Sequence, residues 1–269
     1  MKYAVSVTDT KKTEEIERSG LELLAVLESY QVSLNNITSI EEQPRGMIFH
    51  DLESATKLYS TIPLPAYTSR DLIHLTPLLE TWKDIYLTTT NGVKEAEDYY
   101  RNLEIVDVAE IAAHELTHHA DFFHSEFEDW EEEHASDMWF EEGICFYLPR
   151  KLLMSEERFE RVMEVERLLI EAYKEEYGEY SLDAFGEAGY RGGDNFAYSA
   201  AFYDYWRSTR TVARLIDEYC KGEVQKLIGY YREWVDGGEK GRLQDFFVQR
   251  FKLSSEEAEG LWLHSKVKV

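Results

Sequence analysis

The 269-residue sequence predicts an α+β protein with a small sheet near its amino terminus and a mostly helical remainder. Strand-like runs of apolar and β-branched residues occur in the first ninety positions, whereas apolar residues after about Asn102 recur at helical spacing. No linker rich in Ser, Gly or Pro divides the chain. We therefore expect an α+β lobe over residues 1–124 and a helical lobe over residues 125–269, joined in one folding unit.

The first elements are predicted from local patterns. Residues 3–7 alternate between larger apolar and smaller side chains, which indicates a strand. Residues 12–30 carry apolar side chains at helical spacing and predict the first helix. Residues 46–50 are typical of a short strand, and Asp51 directly after them is a typical N-cap of a helix.

Two more strands are expected before the chain becomes helical. They cover residues 72–76 and 84–90, and the Asn91-Gly92 pair predicts a turn after the second. A helix is then expected from Leu103 to Phe123. Later charged segments with periodic Leu, Ile, Val and Tyr predict further helices at residues 155–177, 210–219 and 223–234.

The composition excludes several classes of protein. Fifty-three acidic against twenty-nine basic residues give a net charge of −24, which would repel a nucleic-acid backbone. No apolar run approaches the roughly 18 residues of a membrane span, and the first nine residues turn polar too early for a signal peptide. Cys145 and Cys220 are too few for a disulfide scaffold. We expect a cytoplasmic protein that binds neither nucleic acid nor a membrane.

The segment His114-Glu115-Leu116-Thr117-His118 is an H-E-x-x-H motif. On a helix, residues i and i+4 share one face, so the imidazoles of His114 and His118 can reach a single metal ion. Glu115 is rotated by about 100° from His114, which places its carboxylate beside the metal, where it can take a proton from water. A catalytic zinc ion takes three protein ligands, so a third ligand is needed elsewhere in the chain.

Downstream, Trp139-Phe140-Glu141-Glu142-Gly143 lies in another apolar helical stretch. Together with the H-E-x-x-H motif, this segment resembles the gluzincin metallopeptidases, and in particular the W-x-x-E-G pattern of aminopeptidase N-like members. The resemblance implies a zincin-like fold with its active-site cleft between the two lobes, one zinc ion per chain, and Glu142 as the third ligand. Twenty-three residues separate His118 from Glu142, several more than in that branch, and Glu141 is the alternative ligand.

The resemblance covers about residues 84–269. Gluzincins of this type place a tyrosine at the start of a later helix, with its hydroxyl directed at the oxyanion of the reaction. Tyr198 matches this pattern, and its alternative role is plain packing at the start of a helix. The resemblance also implies that the strand predicted at residues 84–90 pairs with an extended substrate. The G-x-M-E-N segment that captures a substrate amino terminus is absent from the sequence.

Other polar residues near the motif have expected roles outside the metal's own ligands. Five of them are interpreted as flanking residues or as partners of a ligand imidazole: His119, His124, His134, Asp121 and Asp137. The acidic run over residues 126–133 lacks the spaced ligands of a calcium loop. We interpret it as a solvated segment that would attract cationic peptides if it borders the cleft.

The motif and the resemblance together predict a zinc metallopeptidase that acts on peptides or proteins. Two alternatives stay open: a protease dedicated to a single protein partner, and a degenerate zincin that serves as a binding scaffold. The intact base Glu115 argues against the scaffold, because a non-catalytic site has no need of it. The same ligands also accept manganese or cobalt.

Overall fold

A four-stranded mixed sheet is formed by the first part of the chain. The computed structural model describes residues 1–59, 63–69, 71–123, 137–191 and 197–264. The strands are β1 (Tyr3–Ser6), β2 (Gly46–His50), β3 (Ala66–Ser69) and β4 (Leu72–Leu75). Their order across the sheet is β1-β2-β4-β3, with β1, β2 and β4 parallel and β3 antiparallel to β4. Strand β3 is therefore one edge of the sheet.

Helices make up most of the rest, so the described chain is mixed α and β with helix predominating. They are α1 (Thr13–Leu34), α2 (Leu52–Lys57), α3 (Leu79–Leu87), α4 (Lys94–Arg101), α5 (Ile105–Thr117), α6 (Met138–Leu153), α7 (Glu156–Tyr177), α8 (Glu187–Arg191), α9 (Tyr198–Arg214), α10 (Val224–Asp236), α11 (Leu243–Phe251) and α12 (Ser255–Trp262). Helix α9 continues into a π-helical turn, Leu215–Tyr219. None of the helices within the described ranges is long and apolar enough to cross a membrane.

Helix α1 packs against the sheet through a continuous apolar stripe. Its buried residues recur at helical spacing: Ile16, Gly20, Leu23, Leu27, Tyr30 and Leu34. At Gly20 there is no room for a side chain, because a β-carbon would lie 2.2 Å from the ring of Phe49 in β2. The absence of a side chain at this position lets the helix approach the strand.

Helix α5 runs through the interior of the protein. Every residue from Asp107 to Thr117 is buried, and Ala109, Ala112 and Ala113 expose almost nothing. Small side chains allow the neighbouring helices α1 and α6 to pack closely against it. Its amino end is closed by a capping box, in which the side chains of Glu104 and Asp107 each accept a hydrogen bond from the other's backbone N–H.

Helix α6 packs against both α5 and α9. Gly143 faces the backbone of α9, where a β-carbon would lie 2.7 Å from the Ser208 carbonyl oxygen. Trp139 is fully buried, with its ring against Phe140, Phe247 and Trp262. The W-x-x-E-G segment therefore has a packing function of its own, because its tryptophan fills the core and its glycine permits close contact between helices.

The strand predicted at residues 84–90 is wrong, because most of this segment lies in helix α3. The buried side chains of α3, Trp82 and Ile85, are three residues apart, which is the spacing of a helix face. The threonines that favoured a strand follow the helix instead. The turn prediction is confirmed, since Asn91 and Gly92 both adopt positive φ, but the element before the turn is a helix.

The other strand predictions of the first half are confirmed. Residues 3–7, 46–50 and 72–76 contain β1, β2 and β4, respectively. Asp51 caps α2 as predicted, because its side chain accepts a hydrogen bond from the Ser54 N–H. Strand β3 was not predicted, since it follows a segment with two prolines, which are typical of a loop.

The helix predictions of the second half are confirmed with shifted ends. The helix expected from Leu103 to Phe123 ends at Thr117, and the one expected at residues 210–219 is the end of α9 and its π-helical turn. One cluster of buried apolar side chains extends from Ile16 to Trp262. The described parts of both predicted lobes therefore contribute to a shared core.

Candidate metal centre

The two histidines of the H-E-x-x-H motif lie together at the carboxyl end of α5. His114 is in the last turn of the helix, and His118 caps it with helical φ and ψ. Their Nε2 atoms are 3.2 Å apart, and their side chains are 5% and 11% exposed. Both imidazoles share one face of the helix, as the spacing of four residues predicts.

Helix α6 brings Glu142 to the same point. Its Oε2 atom lies 3.3 Å from His114 Nε2 and 3.6 Å from His118 Nε2. This oxygen is buried, and it accepts no hydrogen bond of ordinary geometry from the part of the chain that the structure describes. Among the described residues, these three side chains form a group that could hold a metal ion.

The distances fit a single tetrahedral ion. Zinc binds histidine nitrogen and carboxylate oxygen at about 2.0–2.2 Å, so the ligand atoms of a tetrahedral site lie about 3.3–3.5 Å apart. The three separations of 3.2, 3.3 and 3.6 Å are close to that value. Two imidazoles and one carboxylate suit zinc, and three protein ligands leave a fourth position open, as in catalytic zinc sites.

Glu141 contacts the outer nitrogen of His118. Its Oε1 atom lies 2.7 Å from His118 Nδ1, which orients the ring with Nε2 towards Glu142. Consecutive residues of a helix point about 100° apart, so the two glutamates reach different atoms of the same imidazole. The structure thus assigns the predicted ligand and its alternative to separate positions, with Glu142 facing both Nε2 atoms.

The surroundings favour positive charge at this point. Burial opposes protonation of His118, but contacts with Cys145, Glu142 and Glu141 raise its pKa well above the usual value. Burial likewise opposes ionisation of Glu142, yet His118 and His114 lower the pKa of this carboxyl to about 2. A carboxylate beside two imidazoles is an environment that stabilises a bound cation.

Glu115 directly follows His114 on α5 and is held by a residue of the sheet. Its Oε2 atom accepts a hydrogen bond of 2.8 Å from Thr68 Oγ1. Thr68 belongs to the edge strand β3, so the candidate base is tied to the sheet as well as to α5. Sequence reasoning missed Thr68 because it did not recognise the short strand.

Of two tyrosines on α9, Tyr205 contacts the candidate ligands, whereas Tyr198 bonds to a loop before the sheet edge. Tyr198 is the first residue of the helix, as predicted, and its hydroxyl donates to the Pro63 carbonyl oxygen at 3.2 Å. Tyr205, about two turns later, places its hydroxyl 3.5 Å from Glu142 Oε1 and its ring 6.2 Å from that of His114. Tyr205 belongs to no sequence motif, and only the packing of α9 against α6 brings it to the site.

The carboxylates expected to support a ligand imidazole are engaged elsewhere. Asp121 Oδ1 accepts a hydrogen bond from the Glu41 N–H at 2.7 Å. Asp137 Oδ2 accepts one from the Tyr231 hydroxyl at 2.9 Å. The supporting carboxylate of the centre is Glu141, which the sequence suggested only as an alternative ligand.

His119 does not belong to the group of candidate ligands. Burial and the neighbouring His118 lower its pKa to about 4, so this imidazole is neutral near pH 7. Three other candidates suggested by the sequence lie outside the described residues: His124, His134 and the acidic run at residues 126–133.

Comparisons with protein-family models, with curated proteins and with solved structures found no match for this chain. The chemistry of the protein is therefore inferred from the site itself. His114, His118 and Glu142 converge, and Glu115, the residue after His114, accepts a hydrogen bond from Thr68.

Proposed function

We propose that the protein is a zinc-dependent metallopeptidase of gluzincin type with a zincin-like fold. The observation that carries this proposal is the convergence of His114, His118 and Glu142, whose candidate ligand atoms all lie within 4.8 Å of one another. Two free, buried cysteines suit a reducing compartment, and we propose a cytoplasmic location on that basis.

The candidate ligands would hold one zinc ion, which when bound supplies a Lewis acid that polarises a carbonyl and lowers the pKa of water towards about 7. Glu115 takes the proton of the attacking water and passes it to the leaving amine. Glu115 Oε2 accepts a hydrogen bond from Thr68, and its carboxylate retains further lone pairs that can accept the proton. Because this contact fixes the carboxylate, little reorganisation is needed for the transfer.

A hydroxyl donor would stabilise the oxyanion that develops as the carbonyl is attacked. Tyr198 is the residue that the resemblance to gluzincins assigns to this role. Tyr205 is the alternative, since its hydroxyl is the one within 3.5 Å of Glu142. Both side chains project from α9, the helix that packs against α6.

The substrate would be a peptide or protein bound in extended form along β3. This strand is an edge of the sheet, and its Thr68 contacts the proposed base. An edge strand can pair with an extended peptide through its free backbone groups. Strand β3 thus takes the role that was expected of residues 84–90. The net charge of −24 favours cationic substrates.

The first test is the metal content of protein purified without added metal or chelator, measured by elemental analysis. About one zinc per chain supports the proposal, whereas protein that neither contains nor takes up zinc contradicts it. Glu115→Gln then separates binding from catalysis, because it should keep zinc and lose hydrolysis. Cleavage by this variant at the wild-type rate would rule out the proposed base.

A panel of peptides and folded proteins, each with a chelator control, tests how general the proteolysis is. Chelator-sensitive cleavage of many peptides is expected for a general peptidase. Cleavage of a single protein would indicate a dedicated protease with the same site. A zinc-loaded protein that cleaves nothing would instead indicate the binding scaffold.

A further inference from the structure

The two histidines of the centre are held in different ways. His118 has Glu141 at its Nδ1, the arrangement by which proteins usually orient a ligand imidazole. The Nδ1 atom of His114 is buried, and no described residue forms a hydrogen bond with it. Within the described ranges, the contact that orients the His114 ring is therefore not a hydrogen bond to Nδ1.

Phe146 occupies the position that can do so. Its ring centroid is 4.0 Å from that of His114, with 37° between the two planes. It lies four residues after Glu142 on α6, and therefore on the same face of that helix. Tyr205 of α9 also contacts Phe146. The two ring centroids are 5.5 Å apart, and the ring planes are nearly perpendicular.

The Phe146 ring is also in contact with a buried arginine. The Arg150 guanidinium lies 5.2 Å from the centroid of the Phe146 ring, a cation–π arrangement. Arg150 is 4% exposed and pairs with Glu110 of α5 and with Glu166 of α7, the latter at 2.6 and 2.7 Å. These buried pairs fix the guanidinium, which limits the movement of the phenyl ring in turn.

The contacts form a column between two helices. His118 and Glu141 meet at one end, His114 and Phe146 in the middle, and Glu110 and Arg150 at the other. Glu110, His114 and His118 are four residues apart, so they share the face of α5 that packs against α6. These contacts between α5 and α6 determine the position of His114 and His118 relative to Glu142.

We propose that Phe146 is a positioning residue that orients His114 for metal binding by ring packing, in place of a hydrogen bond to Nδ1. The inference rests on the proposed zinc site. Loss of the phenyl ring leaves His114 free to rotate, so metal binding must then also order the imidazole. Hydrogen-bonding partners of ligand imidazoles typically change metal affinity by about 10- to 100-fold, and we expect an effect of the same order from the ring.

The test is the zinc dissociation constant of Phe146→Leu, measured by competition with a chromogenic chelator. We expect zinc binding about 10- to 100-fold weaker than in the wild type. The matched control is Phe159→Leu, which removes a buried ring that also lies under a cation, since Lys151 Nζ lies 4.2 Å from that ring. The control should bind zinc as the wild type does.

A second readout separates ring positioning from stability. Cobalt substitution reports the ligand geometry through its visible absorption bands, and Phe146→Leu should change these bands whereas Phe159→Leu should not. Thermal unfolding of the metal-free proteins shows whether both variants remain folded. If Phe146→Leu does not fold, Phe146→Met, which keeps most of the volume without the ring, replaces it.

The outcomes distinguish this inference from the proposed function. Wild-type affinity and unchanged cobalt spectra in a folded variant that lacks the ring would overturn the role of Phe146 and leave the zinc site intact. A wild-type protein that binds neither zinc nor cobalt would overturn the proposed site, and this inference with it.

Discussion

Glu141 and Glu142 are adjacent residues of the same type with different partners. Glu142 faces the Nε2 atoms of both histidines, and Glu141 contacts only the Nδ1 of His118. We therefore expect Glu142→Ala to lose zinc on dialysis, and Glu141→Ala to keep it with about 10- to 100-fold weaker affinity. Elemental analysis and chelator competition measure this difference. Equal zinc retention in both variants would show that the third ligand is misassigned.

We expect a second pair of imidazoles, far from the motif in sequence, to make the stability of the protein depend on pH. His50 Nε2 lies 2.9 Å from His74 Nδ1, and His50 Nδ1 lies 3.0 Å from Ser54 Oγ. Burial, and then the neighbouring His74, lower the pKa of His50 from 6.5 to about 4. The unfolded chain therefore binds a proton more readily than the folded one between these two pH values.

Because the unfolded chain binds a proton at His50 more readily than the folded chain does, the folded state becomes less stable as the pH falls. The contribution of His50 to the free energy of unfolding is fully present above about pH 6.5. It decreases towards pH 4, by up to about 3 kcal/mol. Urea unfolding at several pH values measures the loss. His50→Gln removes the titrating ring, so its stability should vary less with pH over this window. Identical pH dependence in variant and wild type would exclude His50 as the cause.

At the scale of elements, the contact between α6 and α9 sets the position of Glu142. Gly143→Ala would put a β-carbon 2.7 Å from the Ser208 carbonyl oxygen and push the helices apart. We expect a loss of about 1–3 kcal/mol in the free energy of unfolding, with weaker zinc binding. Denaturant unfolding and chelator competition measure the two effects.

Gly229→Ala in α10 is the matched control. A β-carbon at Gly229 meets nothing within 4 Å, so this substitution should stabilise the protein by up to about 1 kcal/mol through helix propensity alone. If Gly143→Ala also stabilises the protein and leaves zinc binding unchanged, α6 and α9 do not pack as closely as described.

The elements that the sequence predicted correctly are those with a strong local period or a local cap. Asp51 and the apolar spacing of α1 are examples, because each depends on residues within a few positions. Segment 84–90 was mistaken for a strand because its β-branched residues outweighed a helical face of only two buried side chains. The edge strand β3 is defined by its pairing with β4, which no local pattern contains.

At the scale of the whole molecule, the candidate metal centre lies on helices that belong to the main core. His114 and Glu142 lie on helices whose apolar residues belong to the buried cluster that extends from Ile16 to Trp262. A metal that binds only the folded state stabilises it by about 2.7 kcal/mol at 100 times its dissociation constant. We therefore expect zinc to raise the melting temperature by about 5–10 °C.

Thermal unfolding with and without zinc tests this expectation, and a chelator should reverse the shift. Glu142→Ala serves as the control, because it should show no shift at the same zinc concentration. Equal melting temperatures for the metal-free and zinc-treated wild type would contradict a zinc site coupled to folding.

The sequence by itself determined the parts of the centre that one helix can supply. Four-residue spacing puts His114 and His118 on one face with Glu115 beside them, because the pitch of a helix is a local property. The W-x-x-E-G segment also pointed to Glu142. Only the tertiary structure decided that Glu141 supports His118, and that Thr68, Tyr205 and Phe146 surround the site. Each of these contacts joins separate elements, and their relative placement depends on packing that no local pattern encodes.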